Sequence, residues 1–187
     1  MAERRALFLD RDGTVNIDRH YVHRIEDFEP VPGIFELCAA AAAKGYALVV
    51  VTNQSGIERG YFTMEQYEAF TDHMRSLFAQ RGAPLLDVLC CPFLNHPDRK
   101  PNPGMFLKAA EKWGIDLAAS VSLGDKPRDV AAADVEHRPG FQDEVAERAV
   151  LDDEYFLHGQ GRSGMSCAGV ATMPAAPGQE VASASSR

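Results

Sequence analysis

The chain has 187 residues, 45% of them apolar and 25% charged, and a formal net charge of −8. This is the composition of a globular domain with a core large enough to stand without disulfide or metal staples. The acidic balance argues against a non-specific nucleic-acid binder, which needs clustered Lys and Arg, but leaves room for a pocket that takes a small anion.

The cysteines, Cys38, Cys90, Cys91 and Cys167, are too few for a disulfide scaffold in a chain of this length. No apolar run approaches the ~20 residues of a membrane span. The apolar stretch Ala6-Leu7-Phe8-Leu9 ends at Asp10, too soon for a signal-peptide core. These features predict a cytoplasmic monomer with neither a membrane nor a nucleic-acid partner.

That first stretch, a short apolar run ended by charge, predicts a buried strand. Residues 33–44 are rich in Ala and Leu, and Gly45 follows them as a helix stop. Residues 46–51, Tyr-Ala-Leu-Val-Val-Val, predict a second buried strand. Thr63 and Gln66 fit a capping box, and Tyr67, Phe70, Met74, Leu77 and Phe78 share one face of the helix behind it, stopped by Gly82. Residues 85–91 predict a third strand, and Pro103 opens a helix carrying Phe106, Leu107, Ala110 and Trp113. Val121-Ser122-Leu123 reads as a short fourth strand, and residues 128–133 start another helix.

Strands alternating with helices predict an α/β fold, a Rossmann-like parallel sheet with helices on both faces and ligands at the carboxyl ends of the strands. Between Thr14 and Thr52 there is space for one loop and one helix–strand unit, so no large cap domain is expected. The pattern fades after Ala133. The expected organisation is a catalytic domain over 1–133, a divergent segment over 134–158 that could complete it, and a disordered tail over 159–187, rich in Gly, Ala, Ser and Pro. The abrupt change at residue 134 points to a frameshift or a recent extension.

Chemistry-bearing residues gather where strands end. Asp10-Arg11-Asp12-Gly13-Thr14 sets two carboxylates one residue apart, fit for a nucleophile and an acid–base partner. Thr52-Asn53-Gln54-Ser55-Gly56 offers a hydroxyl and backbone N–H groups to phosphate oxygens. Arg99-Lys100-Pro101 offers cations to a phosphoryl group in flight. Gly124-Asp125-Lys126, with Asp129 three residues further on, follows the fourth strand, where the Asp125 carboxylate opposite Asp10 would complete a site of hard oxygen ligands for Mg²⁺. Each alone has an ordinary explanation: an acidic turn, a capped turn, a surface charge pair, a helix cap. All four in this order form a strong signal.

The set resembles the haloacid dehalogenase-like phosphohydrolase superfamily and, within it, the heptose 1,7-bisphosphate 7-phosphatase family of lipopolysaccharide-core and related heptose pathways. The most specific stretches are Phe8-Leu-Asp-Arg-Asp-Gly-Thr-Val-Asn16, Tyr21-Val22-His23, Val51-Thr-Asn-Gln-Ser-Gly-Ile57 and Arg59-Gly60. The resemblance implies a Mg²⁺-dependent phosphatase that hydrolyses a phosphorylated sugar through an aspartyl phosphate. Asp10 would be the nucleophile and Asp12 the acid and base, with Thr52 and the Asn53 backbone holding the phosphoryl group and Lys100 offsetting its charge. Mg²⁺ would sit on Asp10, the Asp12 backbone carbonyl and Asp125. Substrate contacts would come from the lid loop Asp18-Arg19-His20-Tyr21, from Asn53, Gln54 and Ser55, and from Arg99 and Lys126.

Three departures stand out. The family usually has Gly where this chain has His20. Relatives usually carry a Cys/His zinc loop, of which Cys90, Cys91 and His96 are all that remains here, so no zinc is expected; Cys91 and His96 are its nearest candidates. Relatives also continue past residue 133 with a further apolar strand. Histidinol-phosphate phosphatase and a catalytically impaired sugar-phosphate-binding homologue are the alternative readings.

Overall fold

Each predicted strand takes its place in one parallel sheet in the computed structural model, which describes residues 4–133. The segments 134–158 and 159–187 lie outside the described residues. Strand β1 spans Ala6–Leu9, β2 Ala47–Asn53, β3 Leu85–Cys91 and β4 Val121–Leu123. Helix α1 spans Ile34–Ala43, α2 Met64–Gln80, α3 Gly104–Trp113 and α4 Pro127–Ala133. The sheet order is β3-β2-β1-β4. No helix among the described residues is long and apolar enough to cross a membrane.

Strand alternation sorts the core into two layers. Leu7, Leu9, Leu48 and Val50 pack with Ile34 and Phe35 of α1 and Met74 and Phe78 of α2. Ala6, Phe8, Val49 and Val51 pack on the other face with Met105, Phe106 and Ala109 of α3 and Ala132 of α4. Ala6–Leu9 and Ala47–Val51 of the central strands are therefore apolar on both faces, which is why these runs are legible as strands. Cys38 is fully buried in the first layer, and burial pushes its thiol up to about 12. Cys91 packs in the second layer, while Cys90 points to the opposite face, beside Tyr67.

Several boundaries differ from the sequence reading. Strand β2 begins at Ala47 and runs on to Asn53, because Thr52 and Asn53 still pair with Cys90 and Cys91 of β3. The Thr63–Gln66 capping box is present, with Gln66 N donating to Thr63 Oγ1 at 3.2 Å and Thr63 N to Gln66 Oε1 at 2.8 Å. Leu107, one of the apolar residues carried by α3, is 47% exposed. Helix α4 begins at Pro127, a residue well suited to a first helical position.

A register irregularity opposite Leu48 and Val49 places Asp87 on the α3 side of β3. There it accepts hydrogen bonds from Trp113 Nε1 at 2.7 Å and Lys112 Nζ at 2.8 Å. Since β1 lies between β2 and β4, the ends of these three strands bring Asp10, Thr52 and Asp125 to one edge of the sheet.

Candidate active site

Asp10 follows β1 directly and is 4% exposed. Its Oδ1 accepts from the Arg11 backbone N–H at 2.8 Å and pairs with Lys100 Nζ at 2.9 Å. Oδ2 has no hydrogen-bond partner among the described residues. Lys100 also pairs with Asp129 Oδ1 at 2.7 Å and donates to the Val51 carbonyl at 2.7 Å. The ammonium thus lies within hydrogen-bonding distance of two carboxylates and one carbonyl, which makes it a fixed point charge. Burial pushes the Asp10 carboxyl above its ordinary range, the Lys100 ammonium opposes this, and the Asp129 carboxylate pushes it further up.

Lys100 reaches this point because the loop beyond β3 is clamped to β2. The Asn53 side chain accepts from Lys100 N at 3.0 Å and donates to Lys100 O at 2.9 Å. Asn53, expected to act through its backbone, therefore has its amide engaged in holding that loop.

Asp10, Asp125 and Asp129 each offer an oxygen within 4.8 Å of the others. Lys100 pairs with Asp10 and Asp129 and Lys126 lies 3.5 Å from Asp125, so the three carboxylates still outnumber the cations beside them, an excess of the kind a divalent cation neutralises. The donors are all hard oxygens, which fits Mg²⁺. Asp129 is 2% exposed, and its Oδ2 accepts from the Lys126 backbone N–H at 3.0 Å. The sequence motifs alone give Asp129 no ligand role. Gly13 makes the cluster possible: at φ +90° it has no side chain, and a Cβ there would lie 2.3 Å from Asp125 Oδ2.

The Asp12 carboxylate stands apart from this cluster. Both of its oxygens are within 2.9–3.1 Å of the Arg11 guanidinium, Oδ2 accepts from Gln54 Nε2 at 2.8 Å, and Oδ1 accepts from Asn16 Nδ2 at 3.2 Å. Gln54 is 3% exposed, and its Nε2 donates to Asp12 and also to Thr52 Oγ1 at 2.8 Å, so it links these two residues. Arg11 and Asn16, both fully buried, were missed. An arginine directly behind a buried strand, between two aspartates, was the available signal.

The loop expected to act as a lid reaches the acidic cluster through Asp18. Asp18 Oδ2 pairs with Lys126 Nζ at 2.9 Å, and Lys126 lies 3.5 Å from Asp125 Oδ2. The bond to Lys126 holds the Asp18 carboxyl below its ordinary range. Burial lowers the Lys126 pKa, but the Asp18 bond and the Asp125 charge outweigh it, and the net shift is upward. His20 and Tyr21 adopt φ of 60° and 54°, a left-handed pair that costs non-glycine residues on the order of 1 kcal/mol each. This geometry explains why a glycine would suit position 20. Tyr21 meets Tyr61 edge-on at 4.7 Å and lies over Gly56, where a Cβ would come within 2.8 Å of its ring.

The remaining expected residues are less directly engaged. Arg19 pairs with Glu29 on the surface. The Arg99 guanidinium donates to the Phe93 carbonyl at 3.1 Å. Ser55 is half-buried, and its carbonyl accepts from Arg59 N at 3.1 Å. Cys91 Sγ faces the Phe93 carbonyl at 3.8 Å, and His96 Nδ1 lies 3.3 Å from Asp98 Oδ2.

A family model described as polynucleotide kinase 3 phosphatase matches residues 9–136. The D-glycero-beta-D-manno-heptose-1,7-bisphosphate 7-phosphatase of Yersinia pestis is 46% identical over 140 residues, covering 68% of this chain and 73% of that protein. The D-glycero-alpha-D-manno-heptose-1,7-bisphosphate 7-phosphatase of Burkholderia mallei is 47% identical over 140 residues with the same coverage, 68% and 73%. Among solved structures, a D,D-heptose 1,7-bisphosphate phosphatase from B. bronchiseptica, complexed with magnesium and phosphate, gives a TM-score of 0.65 at 33% identity, covering 68% of this chain and 74% of that one.

Proposed function

The chain belongs to the heptose 1,7-bisphosphate 7-phosphatases of the haloacid dehalogenase-like superfamily, and we propose from that premise that it converts D-glycero-D-manno-heptose 1,7-bisphosphate to the 1-phosphate. It is a phosphoric monoester hydrolase. The observation that carries the reaction is the buried Asp10–Lys100 pair at the end of β1, with one carboxylate oxygen held and the other left for attack.

Asp10 Oδ2 attacks phosphorus as the bond to the C7 oxygen breaks, and the Asp12 carboxyl gives its proton to that departing oxygen. The sugar leaves as an alcohol, and an aspartyl phosphate remains on Asp10. Asp12, now ionised, takes a proton from the water that attacks the same phosphorus. Inorganic phosphate leaves, and both carboxyl groups return to their starting states. Thr52 Oγ1 and the Asn53 backbone N–H steady the phosphoryl oxygens, and Lys100 offsets charge in the transition state. Mg²⁺, which Asp10, Asp125 and Asp129 would hold, supplies further neutralisation of the phosphoryl oxygens when bound.

A small substrate is supported by the acidic chain, which lacks the basic excess a polynucleotide binder uses, and by the Asp18–Lys126 contact, which brings the lid loop beside the metal carboxylates. The test is phosphate release in Mg²⁺ from four compounds: the α- and β-anomers of heptose 1,7-bisphosphate, histidinol phosphate and a 3′-phosphorylated oligonucleotide. One of the heptose anomers is expected to give the highest kcat/KM. A higher value for histidinol phosphate or the oligonucleotide overturns the substrate assignment.

A further inference from the structure

Arg11 is an unusual component for a stable core. The residue is fully buried and its guanidinium stacks 4.7 Å above the Phe70 ring. Nε and Nη2 grip both oxygens of Asp12, and Nη2 also donates to the Val22 carbonyl at 2.6 Å. Nη1 is buried with no hydrogen-bond partner. Burying an ion pair is a poor way to gain stability, and apolar groups of similar volume commonly do better. An unpaired buried N–H adds to the cost. What the arrangement secures is geometry: a planar fork fixes the plane of the Asp12 carboxylate in a way that a lysine or an apolar residue would not. Gln54 fixes it from the other side, through the same Nε2 that touches Thr52.

We propose that Arg11 and Gln54 are positioning residues that hold the Asp12 carboxyl in the orientation needed for proton transfer to the departing sugar oxygen. This rests on the reading of Asp12 as the acid. Neither residue touches the reacting atoms: Arg11 acts through Asp12, and Gln54 acts through Asp12 while also bonding Thr52 Oγ1. The Val22 contact extends the same fork to the segment that follows Tyr21, so the lid and the acid share one anchor.

The experiment is a double-mutant cycle with heptose 1,7-bisphosphate and Mg²⁺ on the full chain, using Arg11→Lys, Gln54→Leu, Asp12→Asn and the two combinations with Asp12→Asn. Arg11→Lys keeps the charge and loses the fork; Gln54→Leu keeps the bulk and loses the donor. Each single variant is expected to lower kcat by ~10–100-fold, a large part of what a positioned acid supplies, with KM within about twofold of wild type. In the Asp12→Asn background Arg11→Lys is expected to cost less than about twofold, because the group it positions is gone, and Gln54→Leu to keep only the smaller share that runs through Thr52. A loss repeated in full in that background, kcat and KM degraded together, or an unchanged kcat overturns the proposal. If circular dichroism shows that Arg11→Lys does not fold, Gln54→Leu alone decides it. Wild-type kcat in Asp12→Asn itself would instead remove the acid reading, and the proposal with it.

Discussion

Lys100 Nζ lies 2.9 Å from Asp10 Oδ1, and the lysine is 2% exposed. The same ammonium holds Asp129 at 2.7 Å. Replacing it with Met leaves two buried carboxylates without their cation. Lys100→Met is expected to lower kcat by at least ~100-fold, as loss of a preorganised transition-state charge does, and to cost about 3–5 kcal/mol of stability. Steady-state kinetics and urea unfolding check both. A variant with near wild-type turnover would show that the pair is structural only.

Gly13 bears on metal affinity more than on the fold. Its φ of +90° and the 2.3 Å separation of a built Cβ from Asp125 Oδ2 mean that Gly13→Ala must displace that carboxylate. The expected outcome is a folded protein whose Mg²⁺ requirement rises by ~10-fold or more. Activity titrated against Mg²⁺, with circular dichroism for the fold, measures it. An unchanged half-saturation would take Asp125 out of the metal site.

Asp87 predicts part of the acid sensitivity. Burial alone would raise its pKa, but the Lys112 ammonium and the Trp113 N–H outweigh burial and hold it below the ordinary carboxylate value. The unfolded chain therefore takes up this proton first as pH falls. The associated stability is complete above the unfolded value of ~4 and is lost as pH drops through the lower folded value. Asp87→Asn is expected to be less stable than wild type at pH 7 and to lose less between pH 5 and 3. Urea midpoints across that range test it; parallel curves would contradict it. Turnover at pH 7 should hold, since Asp87 sits near the start of β3 and the site lies at strand ends.

The Asp18–Lys126 pair is half-exposed, at 30% and 32% of side-chain area, so it contributes little to folding. Lys126→Met should change stability by less than about 1 kcal/mol. It should raise KM by ~3–10-fold, because the residue would contact bound substrate. Thermal unfolding and Michaelis curves separate the two effects. A large stability loss with unchanged KM would make Lys126 a structural latch.

What was legible in the sequence was what short-range pattern encodes. Val49 and Val51 face one layer and Leu48 and Val50 the other, so the whole run read as a buried strand. Thr52 and Asn53 read as turn residues, yet pairing with Cys90 and Cys91 draws them into β2; a strand's end is set by its neighbour. Leu107 had helical spacing but fell on the solvent side of α3. Asp10, Thr52 and Asp125 stand out in the sequence because each follows or ends a strand, and Lys100 because it sits in the loop beyond β3. The roles of Arg11 and Gln54 were hidden because they depend on distant partners. Arg11 is buried under Phe70 and bonded to Val22, and Gln54 bonds to Asp12 across 42 positions of sequence.

The most direct test of the central claim is phosphate release from D-glycero-D-manno-heptose 1,7-bisphosphate in Mg²⁺, measured on the wild-type chain and on Asp10→Asn, with the remaining sugar phosphate identified by NMR. The account predicts one equivalent of phosphate from the wild type, the heptose 1-phosphate as the other product, and a folded Asp10→Asn with turnover lowered by ~1,000-fold or more. Phosphate release by Asp10→Asn at a rate near wild type, or no release by the folded wild-type chain, would contradict it.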